Sequence, residues 1–406
     1  MDYEAYQLSN GIRIVHHRIP GVIAHCGLII NAGSRDETDH EHGVAHLIEH
    51  MVFKGTRKRK AYHIISRLED VGGEINAYTT KEETCVYASF MKEDYSRALE
   101  LLKDIIFDSI FPEKEIRREK EVIIDEINSY LDNPAELIFD DFEDLIFSGQ
   151  PIGRNILGTP QSLAGITRDH IRQFIRDHYN TDEMVICFVG GIPSGRLKKS
   201  VEKYFGEIPG NFRHKKRPSP GEYKPGQLNS RKDTFQAHCI TGCTGYDLQH
   251  EKRIGLHLLN NIIGGPGLNT RLNMSLREKN GYSYHNESHF SPYSDTGVIS
   301  VYFSSDKNKL VRSRKVVLRE FARLRDTKLG TLQLYRAKRQ LLGQIAISSD
   351  NYETLMLSMA KSLLVYNKID SLEEIGKKID GISSGEILEI ANEILDEKRL
   401  SFLTYL

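Results

Sequence analysis

The sequence lacks most of the features that would betray a class at first sight. An excess of charge of one sign is missing: 55 basic side chains face 56 acidic ones. That excludes a globally basic surface of the kind that nucleic-acid binders rely on, and no nucleic-acid partner is expected. Long apolar runs are missing as well. The longest, residues 22–30 and 185–189, are strand-sized and fall well short of a membrane span, so no membrane partner is expected either. Cysteine is scarce, at five residues, an odd number whose spacings suggest no disulfide framework. Cys239 and Cys243 could be a metal-binding pair, but residues 235–242 read as a strand that would hold them far apart. Buried free thiols fit better. There is no low-complexity tract, and with 39% hydrophobic and 27% charged residues the chain should fold as a globular protein. The start, Met-Asp-Tyr-Glu-Ala, is acidic where a targeting segment would be basic, so the expected location is cytoplasmic unless a leader has been removed.

What is present is length and repetition. A chain of 406 residues calls for two or three domain-sized units. Residues 209–230 hold four prolines and little apolar periodicity, and read as a linker between domains at 1–208 and 231–406. The basic run from Arg213 to Arg217 has no interleaved aromatic residues and reads as a solvated part of that linker. The two halves resemble each other: residues 40–55 align without gaps on 250–265, and 118–133 on 336–351, in the same order and at similar offsets. Such a pattern indicates duplication. In the first half, residues 12–17, 22–30 and 84–91 have strand patterning, and 43–53, 61–71, 95–110 and 113–131 helical periodicity. Gly72-Gly73 suits a helix end and Pro112 a helix start. The simplest architecture is α+β, with two homologous domains, each an antiparallel-rich mixed sheet with helices packed on one face.

The chemistry centres on His46-Leu47-Ile48-Glu49-His50. On a helix, His46 and His50 are four residues apart and share a face, so two imidazoles can grip one zinc ion. Glu49, three residues after His46, lies on the same side and can act as base towards a water at the metal. The competing reading is a solvated helix with a histidine-rich lead-in, because His40 and His42 stand nearby. A third ligand has to come from another element. The helix over 113–131 offers Glu119 and Glu126, seven residues apart on one face, while Ile123, Ile124 and Ile127 turn much of it inward. From spacing alone these glutamates could equally face solvent.

At this point the sequence resembles the pitrilysin family of inverted-motif zinc peptidases, which includes insulin-degrading enzyme and the mitochondrial processing peptidase. The resemblance covers nearly the whole chain. It rests on the inverted motif and on Glu126, separated from His50 by 75 residues, with Glu119 seven residues before it. It implies one zinc per chain held by His46, His50 and Glu126, Glu49 as catalytic base, and Glu119 as a carboxylate acting behind the ligands. Gly72-Gly73-Glu74-Ile75-Asn76-Ala77 is similar to the family segment whose Asn and Ala bind substrate backbone. On the sequence alone Asn76 reads instead as a turn residue after the double glycine. Arg277 and Tyr284, seven residues apart, are similar to the family's pair that stabilises the oxyanion. Without the resemblance they read as a surface helix charge and a strand aromatic, and Tyr282 competes with Tyr284. In the second half Leu256, Leu259, Asn260 and Gln344 replace His46, Glu49, His50 and Glu126, so no zinc is expected there. Gly264-Gly265-Pro266-Gly267 lacks a following Gly-Lys-Ser/Thr and reads as a turn rather than a phosphate cradle.

The resemblance further implies a peptide substrate enclosed between two pieces of this size, hence a dimer. Because both residue sets lie in one chain, a homodimer with two shared sites is expected; a heterodimer with a similar half-size subunit is the other arrangement. The rival function is a non-catalytic scaffold subunit on the same fold. A small-molecule zinc deaminase would need a Cys-x-x-Cys partner motif, which is lacking.

Overall fold

A computed structural model describes residues 2–406. The chain forms two compact units, each gathered from three segments. Unit 1 runs to Ile127 and adds Asn155–Pro218 and Ile347–Ile369; unit 2 comprises Asn128–Arg154, Ser219–Ala346 and Asp370–Leu406.

Unit 1 is built on a six-stranded sheet of β1 (Glu4–Gln7), β2 (Arg13–His17), β3 (Ile23–Ile30), β4 (Glu74–Thr79), β5 (Thr84–Met91) and β6 (Met184–Val189), in the order β1-β2-β6-β3-β5-β4. Only β2 and β6 run parallel. One face carries α1 (Val44–Met51), α2 (Ala61–Glu69), α3 (Tyr95–Phe107), most of α4 (Glu113–Leu131), α6 (Pro160–Gly165), α7 (Arg168–His178) and α8 (Ser194–Phe205). Their apolar stripes, including Leu47, Ile64, Leu102 and Ile171, close over Ile14, Leu28 and Phe188 of the sheet. The other face is covered by a single helix, α12 (Tyr352–Tyr366), whose Met356, Met359 and Leu363 meet Val15, Ile29 and Val189. This double cover explains why β6, Met-Val-Ile-Cys-Phe-Val, is apolar throughout rather than alternating. Gly27 lets the helix in: a Cβ there would lie 2.8 Å from Met356 Sδ.

Unit 2 repeats the plan. Its strands β7 (Gln227–Ser230), β8 (Ala237–Thr244), β9 (Asn286–Pro292), β10 (Gly297–Ser305) and β11 (Ser401–Tyr405) lie in the order β7-β11-β8-β10-β9, with only β7 and β11 parallel. This is the order β2-β6-β3-β5-β4 of unit 1 with its parallel pair in the same place. One face carries α9 (Arg253–Gly264), α10 (Leu310–Asp326), the first part of α11 (Thr331–Ser349), α13 (Leu372–Gly381) and α14 (Ser384–Ile394), burying Leu256, Leu259, Phe321 and Ile390. The other is covered by α5 (Pro134–Ile146) through Leu137, Ile138 and Phe142, against Ile240, Tyr302 and Leu403.

The fold is α+β, as expected, with the helices massed on one face of each sheet; the single helix on the opposite face was not anticipated. The repeat is visible in the helix bounds, because α11 is α4 shifted by 218 residues at both ends and α12 begins 218 residues after α5. The two gapless sequence matches fall on α1 with α9 and on α4 with α11. α5 and α12 trade places: the helix from the first half of the chain completes unit 2, and its counterpart from the second half completes unit 1. All five cysteines are buried free thiols, as read from the sequence.

The stretch 209–230 is largely exposed, as read, and His214, Lys215 and Lys216 of its basic run face solvent, but Arg213 and Arg217 do not. Arg217 is buried, its guanidinium 2.7 Å from Asp36 Oδ2 and 2.8 Å from Asn31 Oδ1, and Arg213 bonds Asp36 Oδ1 at 3.3 Å. Composition showed cations without an aromatic platform. It could not show a buried carboxylate waiting for them more than 170 residues earlier. The last residues of the stretch, Gln227–Ser230, form β7.

Candidate metal centre

The centre is assembled by α1 and α4. α1 is almost wholly interior: Val44, Ala45, Leu47, Ile48 and Met51 are at most 1% exposed. Its entry is fixed in two ways. Gly43 adopts φ +94°, and a Cβ there would press within 2.9 Å of Leu157 O. The buried Glu37 carboxylate accepts the backbone N–H of Gly43 at 2.9 Å and of Ala45 at 2.8 Å, capping a helix end that has no local side-chain cap. His40 and His42 do not join the centre. His42 Nε2 lies 2.8 Å from Asn155 O, and His40 sits in a short 3-10 turn before the helix.

One turn apart along α1, His46 and His50 present their rings 4.8 Å apart. Glu126 of α4 meets both, its Oε2 3.8 Å from His46 Nε2 and 3.8 Å from His50 Nε2. The three donor atoms lie within 4.8 Å of one another, the one such metal-capable group among the described residues. A tetrahedral zinc with bonds of about 2.1 Å spaces its donors roughly 3.4 Å apart, so this set needs only a small contraction to enclose the ion. Burial, reinforced by His50, pushes the His46 imidazole down to about 4, which leaves it neutral and ready to donate its lone pair. His46 Nδ1 is buried without a hydrogen-bond partner among the described residues. Burial raises the Glu126 carboxyl, with His50 acting in the opposite sense.

Glu49 is half-buried beside the cluster. Its carboxyl is raised by burial, against the pull of Thr79 and His50, with Glu126 adding to the rise. Glu119 is brought in behind His50: its Oε2 lies 3.1 Å from His50 Nδ1 and its Oε1 2.8 Å from Lys54 Nζ. Four residues singled out from the sequence (His46, His50, Glu119, Glu126) thus form one connected cluster with Glu49 alongside. Sequence reasoning missed Glu37, Thr79 and Lys54. Lys54, four residues past His50, carried a spacing signal; Glu37 did not.

Asn76 and Ala77 lie in β4, an edge strand that runs alongside α1. The reading of Asn76 as a turn residue is therefore corrected: the double glycine ends the turn, and by Glu74 the chain already pairs with β5. Asn76 is exposed; Ala77 packs partly against the core. In unit 2, Arg277 lies in the helical turn Asn273–Glu278 and its guanidinium stacks 4.7 Å over the Tyr284 ring, which is 77% exposed. Tyr284 sits in the loop before β9 rather than in a strand, and Tyr282 packs against the core instead. At the positions equivalent to the metal cluster, Leu256 and Leu259 are fully buried and Asn260 bonds Ser288. Gly265–Gly267 are bends and carry no phosphate-loop helix.

Two imidazoles and a carboxylate lie on one copy of a duplicated α+β fold, while Leu256, Leu259, Asn260 and Gln344 stand at the equivalent places of the other, so among the described residues one half is metal-capable. The chain matches the family model described as Insulinase (Peptidase family M16) over residues 13–160, and Peptidase M16 inactive domain over residues 165–341. It is 33% identical to an uncharacterized zinc protease of Bacillus subtilis, YmxG, over 97% of this chain and 95% of the relative. It is 28% identical to the mitochondrial-processing peptidase subunit beta of Saccharomyces cerevisiae, over 98% and 89%. A crystal structure of a protease from Helicobacter pylori superposes with a TM-score of 0.91 at 19% identity, covering 100% of this chain and 99% of that one, a likeness of fold. The chain belongs to peptidase family M16.

No helix among the described residues is long and apolar enough to cross a membrane.

Proposed function

We propose that this chain is a zinc-dependent endopeptidase that cleaves short or unfolded peptides, with His46, His50 and Glu126 holding one zinc ion and Glu49 as its base. The observation that carries the reading is the convergence of two imidazole nitrogens and one carboxylate oxygen within 4.8 Å, beside a half-buried glutamate on the same helix turn. Relatives named as zinc proteases support both the metal and the substrate class. Zinc, when bound, supplies a Lewis acid for a water and for the scissile carbonyl. Glu49 takes a proton from the attacking water at its carboxylate and returns it to the leaving amine. A carboxyl whose proton affinity is raised by burial suits both halves of that transfer. Glu119 holds the His50 ring through Nδ1.

Asn76 and Ala77, on the open edge of β4, offer main-chain groups to which an extended peptide can add as a further strand. Arg277 and Tyr284 are assigned to stabilising the oxyanion, as a half-buried guanidinium stacked on an exposed phenol ring. Because they lie in unit 2 of a half-size chain, we assign them to completing the site of a second subunit in a homodimer, or in a heterodimer with a similar chain. Domains at 1–208 and 231–406 joined by 209–230, and a cytoplasmic location, belong to the same reading.

Cleavage of an unstructured peptide library by the zinc-loaded protein tests it. The wild type is expected to cut, and Glu49→Gln to keep its zinc and lose cleavage by at least about a hundredfold, as loss of a general base entails. A zinc-loaded wild type that cuts no peptide would instead favour a scaffold subunit.

A further inference from the structure

Behind His50 stands a contact chain that no step of the reaction consumes. His50 Nδ1 is 3.1 Å from Glu119 Oε2, and Glu119 Oε1 is 2.8 Å from Lys54 Nζ. The glutamate is interior, its side chain 8% exposed, while the lysine side chain is 31% exposed. Lys54 follows α1 in a tight turn closed by its own N–H on Met51 O at 3.0 Å. The helix end therefore folds the ammonium back onto α4. With His50 Nε2 facing His46 and Glu126, the ring's proton belongs on Nδ1, where Glu119 accepts it. A glutamate's terminal torsion is broad and can swing its two oxygens away from a ring plane. An ammonium gripping Oε1 removes that freedom and leaves Oε2 for His50. The ammonium also brings positive charge to a place where Glu49, Glu119 and Glu126 gather three carboxylates around a divalent site.

The geometry points to Lys54 as a positioning residue: by holding Glu119 it fixes the orientation and proton placement of the His50 ring, and so sets how firmly the centre keeps its metal ion. This rests on the zinc reading above, and nothing in the reaction requires it. Lys54 touches neither substrate nor metal; it acts through the carboxylate.

The test is zinc release into excess chromogenic chelator from wild type, Lys54→Met, Lys54→Arg, Glu119→Gln and the Lys54→Met/Glu119→Gln double variant, with thermal midpoints of the metal-free proteins alongside. Partners behind a ligating histidine typically change metal affinity 10–100-fold, so Lys54→Met should release zinc about tenfold faster than wild type, and Lys54→Arg within about threefold of it. In the Glu119→Gln background, Lys54→Met should add no more than about twofold, because the residue it acts through is already impaired. Equal acceleration in both backgrounds would mean that the ammonium acts on the site directly, and would overturn the inference. So would a Lys54→Met protein that releases zinc at the wild-type rate, whatever its melting point. A wild type that takes up no zinc overturns the metal site and this inference together, whereas tight wild-type binding that Lys54→Met leaves untouched overturns this inference alone.

Discussion

Replacing Glu37 by alanine should loosen the zinc-site helix from a distance, with no ligand altered. The Glu37 carboxylate accepts two backbone N–H groups at the buried start of α1, from Gly43 at 2.9 Å and Ala45 at 2.8 Å. Orphaning a buried donor costs about 1–3 kcal/mol. Losing an anion from a helix N-terminus costs roughly 0.3–1 kcal/mol more. For two donors that amounts to about 2–7 kcal/mol, set against a typical domain stability of roughly 5–15 kcal/mol. Hydrogen exchange of the α1 amides, followed by mass spectrometry on a peptide spanning the helix, reads the local opening. With every 1.4 kcal/mol worth tenfold, α1 exchange should accelerate by about one and a half to five orders of magnitude. Glu37→Gln keeps one acceptor oxygen and should fall near the middle of that range on a logarithmic scale. Zinc affinity should drop in the same order, because His46 and His50 are presented only while α1 is formed. Exchange in α1 within about threefold of wild type for Glu37→Ala would refute the argument, since it would mean that the orphaned donors find water or another partner at little cost.

Sharing of sites between subunits predicts complementation: a Glu49→Gln subunit mixed with an Arg277→Ala subunit should recover part of the peptidase activity that each lacks alone, and no recovery in a verified mixed dimer would contradict the sharing. The buried Asp36 predicts a specific acid limb of stability. Burial alone would raise its carboxyl, but Arg217 foremost, then Arg213 and the Gly33 N–H, hold it below the usual 3.8. A depressed carboxyl stabilises the fold at pH values above about 4, and that contribution is lost as pH falls through the lower folded value. The stability difference between wild type and Asp36→Asn in denaturant titrations should therefore be constant from pH 7 to about 5 and shrink below about 4. A difference that stays the same down to pH 3 would refute the ion-pair explanation.

Much of this was legible beforehand because the signals were local. Periodicity bounded α4 at Glu113–Leu131, and β5 at Thr84–Met91, as observed. A spacing of four placed the two imidazoles on one face of α1. Position matching found the duplication, since both alignments keep constant offsets across equivalent helices. What escaped was non-local. The apolar stripes of α5 and α12 say that a sheet will cover them, not which of two similar sheets it will be. Glu37 caps a helix from six residues before its first donor, outside any local capping pattern. Arg217 looked like a solvated charge because its partner, Asp36, is distant in sequence. Asn76 looked like a turn residue because Gly72-Gly73 dominates the local reading, yet pairing with β5 decides the matter.

The central claim is that His46, His50 and Glu126 close around one divalent ion. Metal analysis by mass spectrometry on protein stripped by chelator and reloaded with zinc tests it most directly, run beside His46→Ala, His50→Ala and Glu126→Gln. The account predicts one tightly held zinc per wild-type chain and little or none in the histidine variants, with Glu126→Gln binding much more weakly. A folded wild type that holds no stoichiometric zinc, or histidine variants that hold as much as wild type, would contradict it.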